Sequence, residues 1–352
     1  MKTQSFATPS ADKPLIPYEF ERREPTAGDV ELEVLYCGVC HSDIHTAEGD
    51  WGEVQYPCVP GHEIAGIVTR VGSAVTKFKK GDRVGVGCMV NSCGTCEACK
   101  QGFENSCFKG TIWTYSSKDP VDGTDTKGGY STIMVAPEHF VLSLPESLDM
   151  AHAAPLLCAG ITTYSPLKHW NVKAGMKVGI IGLGGLGHMA VKYAKAMGAD
   201  VWVISSSAGK TEVAKSYGAT GLIVSTSTQD MENAAHTFNF LLDTIPQSHD
   251  LTPYIKLLNL RGTICLVGPI EPMPGFHSGN LISGQKSIAG SGIGGIKETQ
   301  EMLVFSVKHN ILPEIEIINI QDINKAWDAL KHKQMAKRYV IDMKKSFPSV
   351  NQ

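Results

Sequence analysis

Gly182-Leu-Gly-Gly-Leu-Gly187 limits the fold of this chain more than any other segment. It directly follows an apolar run, Lys177-Val-Gly-Ile-Ile181, and opens a stretch with helical spacing over residues 186–197 that stops at Gly198. At such a strand-to-helix junction the first glycine, Gly182, permits a tight turn. The second, Gly184, lets backbone amides approach a pyrophosphate, and the third, Gly187, lets helix and strand pack closely, while the helix N-terminus favours phosphate charge. Leu183, Gly185 and Leu186 complete the turn. This context predicts a dinucleotide site; the alternative is a glycine-rich turn with no ligand. Residues 201–204, 221–224, 240–243 and 262–267 read as further short strands separated by helical stretches, the βαβ signature of a doubly wound parallel sheet. About 20 residues past such a turn an NAD site places Asp or Glu on the ribose hydroxyls. Here stand Ser205, Ser206 and Ser207, followed by Lys210. Hydroxyls and an ammonium suit a 2′-phosphate, so the segment favours NADP over NAD.

The rest of the chain has a different texture. Residues 30–37, 64–71, 81–87 and 130–144 carry β-branched or apolar runs bounded by Gly, Pro and Asp, and no long helix is predicted before residue 150. Helical spacing begins over 151–164. After residue 297 come a helix (298–309), a strand (315–320), a helix (323–331) and a strand (338–343), which are expected to complete the first domain. A length of 352 residues suits two domains. Apolar residues make up 42%, and 32 basic side chains nearly balance 35 acidic ones, which argues against disorder and against a basic grip on nucleic acid. The most apolar stretch, 178–191, is full of glycine and contains His188, so no membrane span is expected. Residues 1–13 are polar with no apolar core or cleavage site, so the expected location is cytoplasmic.

Ten cysteines in a reducing compartment point to metal or reactive-thiol chemistry before disulfides. Cys93, Cys96, Cys99 and Cys107 form C-x2-C-x2-C-x7-C in a polar, glycine-containing stretch. Short spacers let one loop wrap a tetrahedral zinc ion, and four thiolates close its shell, which makes such a site structural. An iron–sulfur cluster uses similar spacings, and unligated thiols are the third reading. Cys40, His62 and Cys158 are dispersed. Three ligands of these types leave a fourth zinc position open, as a catalytic site requires, yet each residue alone reads equally as a buried thiol or a satisfied histidine. Cys37, Cys58, Cys88 and Cys265 are expected in the core or a pocket wall.

Gly38-Val-Cys-His-Ser-Asp43, Pro60-Gly-His-Glu63, the four-cysteine stretch, Leu157-Cys-Ala-Gly160 and the glycine turn together resemble the zinc-dependent medium-chain dehydrogenase/reductase superfamily over nearly the whole chain. Asp50-Trp51, Ala154-Pro-Leu-Leu-Cys-Ala-Gly160, Tyr164-Ser-Pro and the Ser205–Ser207 stretch with Lys210 are similar to its cinnamyl alcohol dehydrogenase branch. The resemblance implies an α/β protein: a GroES-like β-rich catalytic domain (1–153 and 295–352) with a Rossmann domain (154–294) between its two parts. It implies a catalytic zinc on Cys40, His62 and Cys158, with Glu63 close enough to enter the shell, and hence two zincs per chain. It also implies a proton relay of Ser42, His45 and Asp50, and a cofactor lining that includes Thr162, Thr244, Gly268, Gly292, Ile293 and Gly294. His41 would be a neighbour of the metal site or of the nucleotide.

Trp51, Cys88, Trp113 and Thr46 are candidate walls of a substrate pocket that Ser42 also faces. No charged group stands at a matching position, so the expected substrate is a neutral, rather apolar aldehyde or its alcohol, aromatic or medium-chain aliphatic. The implied activity is an NADP-dependent zinc alcohol dehydrogenase or aldehyde reductase, a homodimer joined through the Rossmann domain. The alternatives are an NAD-dependent secondary-alcohol or polyol dehydrogenase, which the missing acid near Ser205 disfavours, and a nucleotide-binding redox sensor, which would not need Cys40, His62 and Ser42 together.

Overall fold

The computed structural model describes residues 1–268, 271–332 and 337–347. They fall into two units, one of residues 1–158 with 295–332 and 337–347, and one of residues 159–268 with 271–294. The division falls after Cys158 and not at residue 153, which leaves that thiol with the first unit. Residues 333–336 and 348–352 of the expected C-terminal segment lie outside the described residues.

The first unit is built on the strand Asp29–Gly38. Its alternating Val30, Leu32 and Val34 are buried, and it pairs antiparallel with Ile64–Val71, Ile133–Pro137 and Arg338–Asp342. Arg83–Val86 and Leu142–Ser143 extend the sheet on one side and Ile315–Ile318 on the other. Ile64, Val68, Val84 and Ile341 add to the same core, each buried apolar side chain contributing roughly 1.5–3 kcal/mol. The register positions the chemistry. Cys37 pairs with Ile64 and Gly38 with Val340, so Cys40, the His62–Glu63 pair and Arg338 all leave the sheet at one end.

Four features here depart from the sequence reading. Lys2–Ala7 and Ile16–Glu21 form an unexpected antiparallel pair. A helix, His41–Glu48, follows Cys40 directly; only Ile44 and Ala47 are buried apolar residues, too few to print a helical stripe on the sequence. The predicted strand over 130–144 is broken after Pro137, which has no N–H for a ladder, by a 3₁₀ turn at Glu138–Phe140. The helical stretch after residue 150 is also interrupted. Met150–Pro155 passes into a π-helical turn, Leu156–Gly160, and then into Ile161–His169. Cys158 sits on that widened turn, a geometry often found at functional sites.

The second unit is a six-stranded parallel sheet in the order Gly221–Val224, Asp200–Ser205, Lys177–Ile181, Phe238–Asp243, Leu258–Leu266 and Ser287–Gly290. In chain order this is 3-2-1-4-5-6, the doubly wound arrangement expected. The sixth strand escaped the sequence reading because its four residues, Ser-Ile-Ala-Gly, include a single good strand former.

Candidate functional site

Cys40, His62, Glu63 and Cys158 converge in the first unit, with one ligand atom of each within 4.8 Å of all the others. Local structure explains each placement. Cys40 caps the helix His41–Glu48, His62 and Glu63 enter the strand Ile64–Val71, and Cys158 comes from the π-helical turn. All four are buried. His62 Nδ1 is hydrogen-bonded to Asp43 Oδ1 at 2.9 Å, while His62 Nε2 and Glu63 Oε2 are buried without a hydrogen-bond partner. An unsatisfied buried polar atom costs about 1–3 kcal/mol, and two beside a pair of thiols fit a cation that would satisfy both. Two soft thiolates with imidazole and carboxylate nearby are the donor set of zinc. The thiols bias one another: the hydrogen bond from Cys158 holds Cys40 well below the ordinary thiol value, and the same contact pushes Cys158 well above it. A divalent cation would hold both as thiolates.

Asp43 organises this cluster. It is fully buried, and its carboxylate accepts from Cys40 N (3.0 Å), Gly61 N (3.0 Å), His62 Nδ1 (2.9 Å) and Tyr130 Oη (3.1 Å). Against the penalty of burial, Asp43 raises His62 well above the ordinary imidazole value. Arg338 Nη2 donates to Glu63 Oε1. Burial pushes the Glu63 carboxyl up to about 7 against the pull of this guanidinium. A Cβ on Gly38 would overlap the Glu63 carboxylate, so a glycine is required there. The sequence reading named neither Asp43 nor Arg338 as a site residue. Asp43 carried one usable signal, an acid three residues past Cys40 that closes a capping box. Arg338 carried none.

Around the cluster, Ser42 Oγ lies 3.6 Å from Cys40 Sγ. His45 Nδ1 is 2.8 Å from Asp50 Oδ2, and the imidazole stacks on Trp51 with ring centroids 5.3 Å apart. Among the described residues Ser42 and His45 are not hydrogen-bonded to each other. His41 Nε2 is tied to the carbonyl of Leu330 at 3.1 Å. Cys88 hydrogen-bonds the carbonyl of Leu157 at 3.8 Å and interacts with both His62 and Cys158, which brings it against the cluster. Trp51 and Trp113 each remain 43% exposed, and Thr46 lies on the helix His41–Glu48.

Cys93, Cys96, Cys99 and Cys107 form the second group. Their sulfurs are 3.9 Å (Cys93–Cys99), 3.5 Å (Cys96–Cys99) and 4.0 Å (Cys96–Cys107) apart. Bonds of about 2.3 Å from a tetrahedral zinc give an edge of roughly 3.8 Å, which these separations match. The amides of Cys93, Cys96 and Phe108 donate to Cys107, Cys93 and Cys96 sulfurs at 3.3–3.4 Å, stabilising negative charge on them. With the amides of Thr95 and Cys96 directed at it, the Cys93 thiol is held at about 5.

In the second unit the glycine turn lies where the strand order reverses, between Lys177–Ile181 and Phe238–Asp243. Gly182 has φ 88°, and a Cβ on Gly187 would overlap its carbonyl oxygen, whereas the space beside Gly184 is open. Thr244 Oγ1 donates to the carbonyl of Ile181 at 2.8 Å. Ser205, Thr244, Gly268 and the Gly292-Ile293-Gly294 turn all follow or end parallel strands at their carboxyl ends, where ligands of such sheets bind. Lys210 Nζ reaches the carbonyl of Leu183 at 3.3 Å, which holds the ammonium at the glycine turn, and Ser205 Oγ accepts from Ser207 N at 3.3 Å. Ser206 and Ser207 are exposed, and Thr162 is buried on the helix Ile161–His169.

Comparison with known proteins agrees with both units. Residues 26–146 match the family of alcohol dehydrogenase GroES-like domains, and residues 185–308 the family of zinc-binding dehydrogenases. Vomilenine reductase of Rauvolfia serpentina is 50% identical over 348 residues, covering 97% of this chain and 95% of its own. A cinnamyl alcohol dehydrogenase from Sorghum bicolor superposes with a TM-score of 0.94 at 42% identity, over 97% of this chain and 98% of that one. The CAD of Helicobacter pylori, solved in complex with NADP(H), gives 0.93 at 46% identity, over 99% of each chain.

Proposed function

The chain belongs to the zinc-dependent medium-chain dehydrogenase/reductase superfamily, in its cinnamyl alcohol dehydrogenase branch, and on that premise we propose that this oxidoreductase interconverts primary alcohols and aromatic or medium-chain aliphatic aldehydes with NADP(H). The observation that carries the reading is the buried group of Cys40, His62 and Cys158, with His62 Nε2 orphaned beside the two sulfurs. These three residues would hold a catalytic zinc, with Glu63 Oε2, which Arg338 leaves free, as a fourth donor, and Cys93, Cys96, Cys99 and Cys107 would hold a second, structural one. Bound zinc supplies a Lewis acid for a carbonyl oxygen, and bound NADPH supplies the hydride.

The chain's own residues do the rest. Asp43 fixes the His62 tautomer that turns Nε2 toward the sulfurs. Ser42, beside Cys40, hands a proton to the alkoxide oxygen, and His45, polarised by Asp50, replenishes it through one intervening hydroxyl or water. Trp51, Trp113 and Cys88 supply an uncharged wall, so specificity rests on shape and apolar contact. Ser205, Ser206, Ser207 and Lys210 take the 2′-phosphate, and the open side of Gly184 admits the pyrophosphate. The homodimer belongs to the same reading; the exposed Leu260 and Ile282 of the second unit support it. So does a cytoplasmic location, in keeping with ten unpaired cysteines. Among the described residues no helix is long and apolar enough to cross a membrane.

A panel of aldehydes and alcohols assayed with each of the four nicotinamide cofactors tests the proposal. Turnover of neutral aromatic aldehydes with NADPH is expected; turnover confined to polyols with NAD would overturn it.

A further inference from the structure

A cavity of about 310 Å³ in the first unit shares no residue with either cysteine cluster. Its size falls within the range of small-molecule sites. Arg22 and Lys127 line it together with the apolar side chains of Phe20, Val90, Met134 and Val135.

The carboxylates on its wall are already engaged. Asp119 accepts from Arg23 Nε at 2.7 Å, Asp125 pairs with Lys118 Nζ at 2.6 Å, and Glu21 lies 3.0 Å from the N-terminal ammonium. Among the described residues no carboxylate lies within ion-pair distance of Arg22 or Lys127, although Asp119 attracts the first and Asp125 the second from further away. Arg22 is 9% exposed; its Nη2 donates to the carbonyl of Lys127 and to Ser131 Oγ, each at 3.0 Å, and its Nε is buried with no partner. Both cations lie over the Phe20 ring, 4.9 and 5.7 Å from its centroid. The ring face offsets part of this charge, but two cations over one ring repel each other, and burial of a cation with no carboxylate in direct contact is costly. Burial pushes the Arg22 guanidinium down to about 9, with Arg23 adding to the shift and Asp119 opposing it, and lowers the Lys127 ammonium against the pull of Asp125.

An anion in the cavity would supply the direct partner that both lack. The planar guanidinium matches a carboxylate, and the apolar lining would be left unused by a bare inorganic ion. The geometry points to a second small-molecule site that takes a monocarboxylate with an apolar body, its carboxylate at Arg22 and Lys127 and its body against Phe20, Val90 and Met134.

The test is fluorine NMR of 4-fluorobenzoate titrated into the zinc-replete protein, into Arg22→Met and into Lys127→Met. One site per chain is expected, weakened about tenfold or more by either substitution, as loss of a charge-assisted contact requires. Benzoate should displace the probe, inorganic phosphate should not, and aldehyde reduction should show no competitive inhibition by benzoate. Absence of binding at millimolar probe, equal affinity in wild type and both variants, displacement by phosphate, or competition with the aldehyde would each overturn the assignment. Lys127 is only partly buried, so its variant keeps the test decisive if Arg22→Met does not fold.

Discussion

Asp43 Oδ1 accepts the Nδ1 proton of His62 at 2.9 Å, and that contact decides which imidazole nitrogen faces Cys40 and Cys158. The same carboxylate takes both the Cys40 and the Gly61 amides, so one side chain fixes the two chain segments that carry Cys40 and His62. Asp43→Asn keeps the size but places donors against donors. Zinc affinity at this centre should fall roughly 10–100-fold, read by competition with a chromophoric chelator. Asp43→Ala should also lower stability by about 3 kcal/mol or more, because three further donors lose their partner; an unchanged unfolding midpoint would remove Asp43 from this role.

The two cysteine groups should separate in their consequences. Cys96→Ser breaks a closed tetrahedral set and should cost one zinc and a marked drop in thermal midpoint. Cys158→Ala should leave the fold near wild type and abolish turnover. Metal analysis alongside calorimetry reads both, and equal losses of stability would refute the division into structural and catalytic centres.

Ser42 and His45 should differ in severity. Ser42→Ala removes the hydroxyl beside the Cys40 thiol and should slow turnover by roughly two to four powers of ten. His45 is partly exposed on a short helix, so solvent can replace it and His45→Ala should be milder. A Ser42→Ala enzyme with most of its kcat at neutral pH would show that the proton travels another way.

Much of this was legible in the sequence, and what was not has identifiable physical causes. The glycine turn and the C-x2-C-x2-C-x7-C stretch are local: their chemistry is complete within about 15 residues, so spacing alone reveals it. The cluster of Cys40, His62, Glu63 and Cys158 is assembled by strand register. Arg338 meets Glu63 across 275 positions because Gly38 pairs with Val340 on one side and donates its amide to the carbonyl of Glu63 on the other. Nothing in either segment marks that meeting. Asp43 was hidden differently, as an ordinary helix-capping acid that also faces inward. The cavity beside Arg22 depends on the pair Lys2–Ala7 and Ile16–Glu21, which the sequence reading did not anticipate.

Lys210 should govern cofactor choice. Its ammonium stands at the glycine turn, and a charge-assisted bond to a 2′-phosphate contributes about 1.5–3 kcal/mol, one to two powers of ten in kcat/KM. Lys210→Ala should raise KM for NADPH and barely alter NADH, while Ser205→Asp should shift preference toward NADH by accepting from the ribose and repelling the phosphate. Parallel loss with both cofactors would place Lys210 in folding instead.

The most direct measurement is the initial rate of an aromatic aldehyde's reduction, with NADPH and with NADH, by the wild-type enzyme and by Cys158→Ala matched for structural zinc. The account predicts kcat/KM with NADPH at least roughly 100-fold above NADH, and no rate with either cofactor once Cys158 is gone. Equal use of the two cofactors by the wild type, or a Cys158→Ala protein that still reduces the aldehyde, would contradict it.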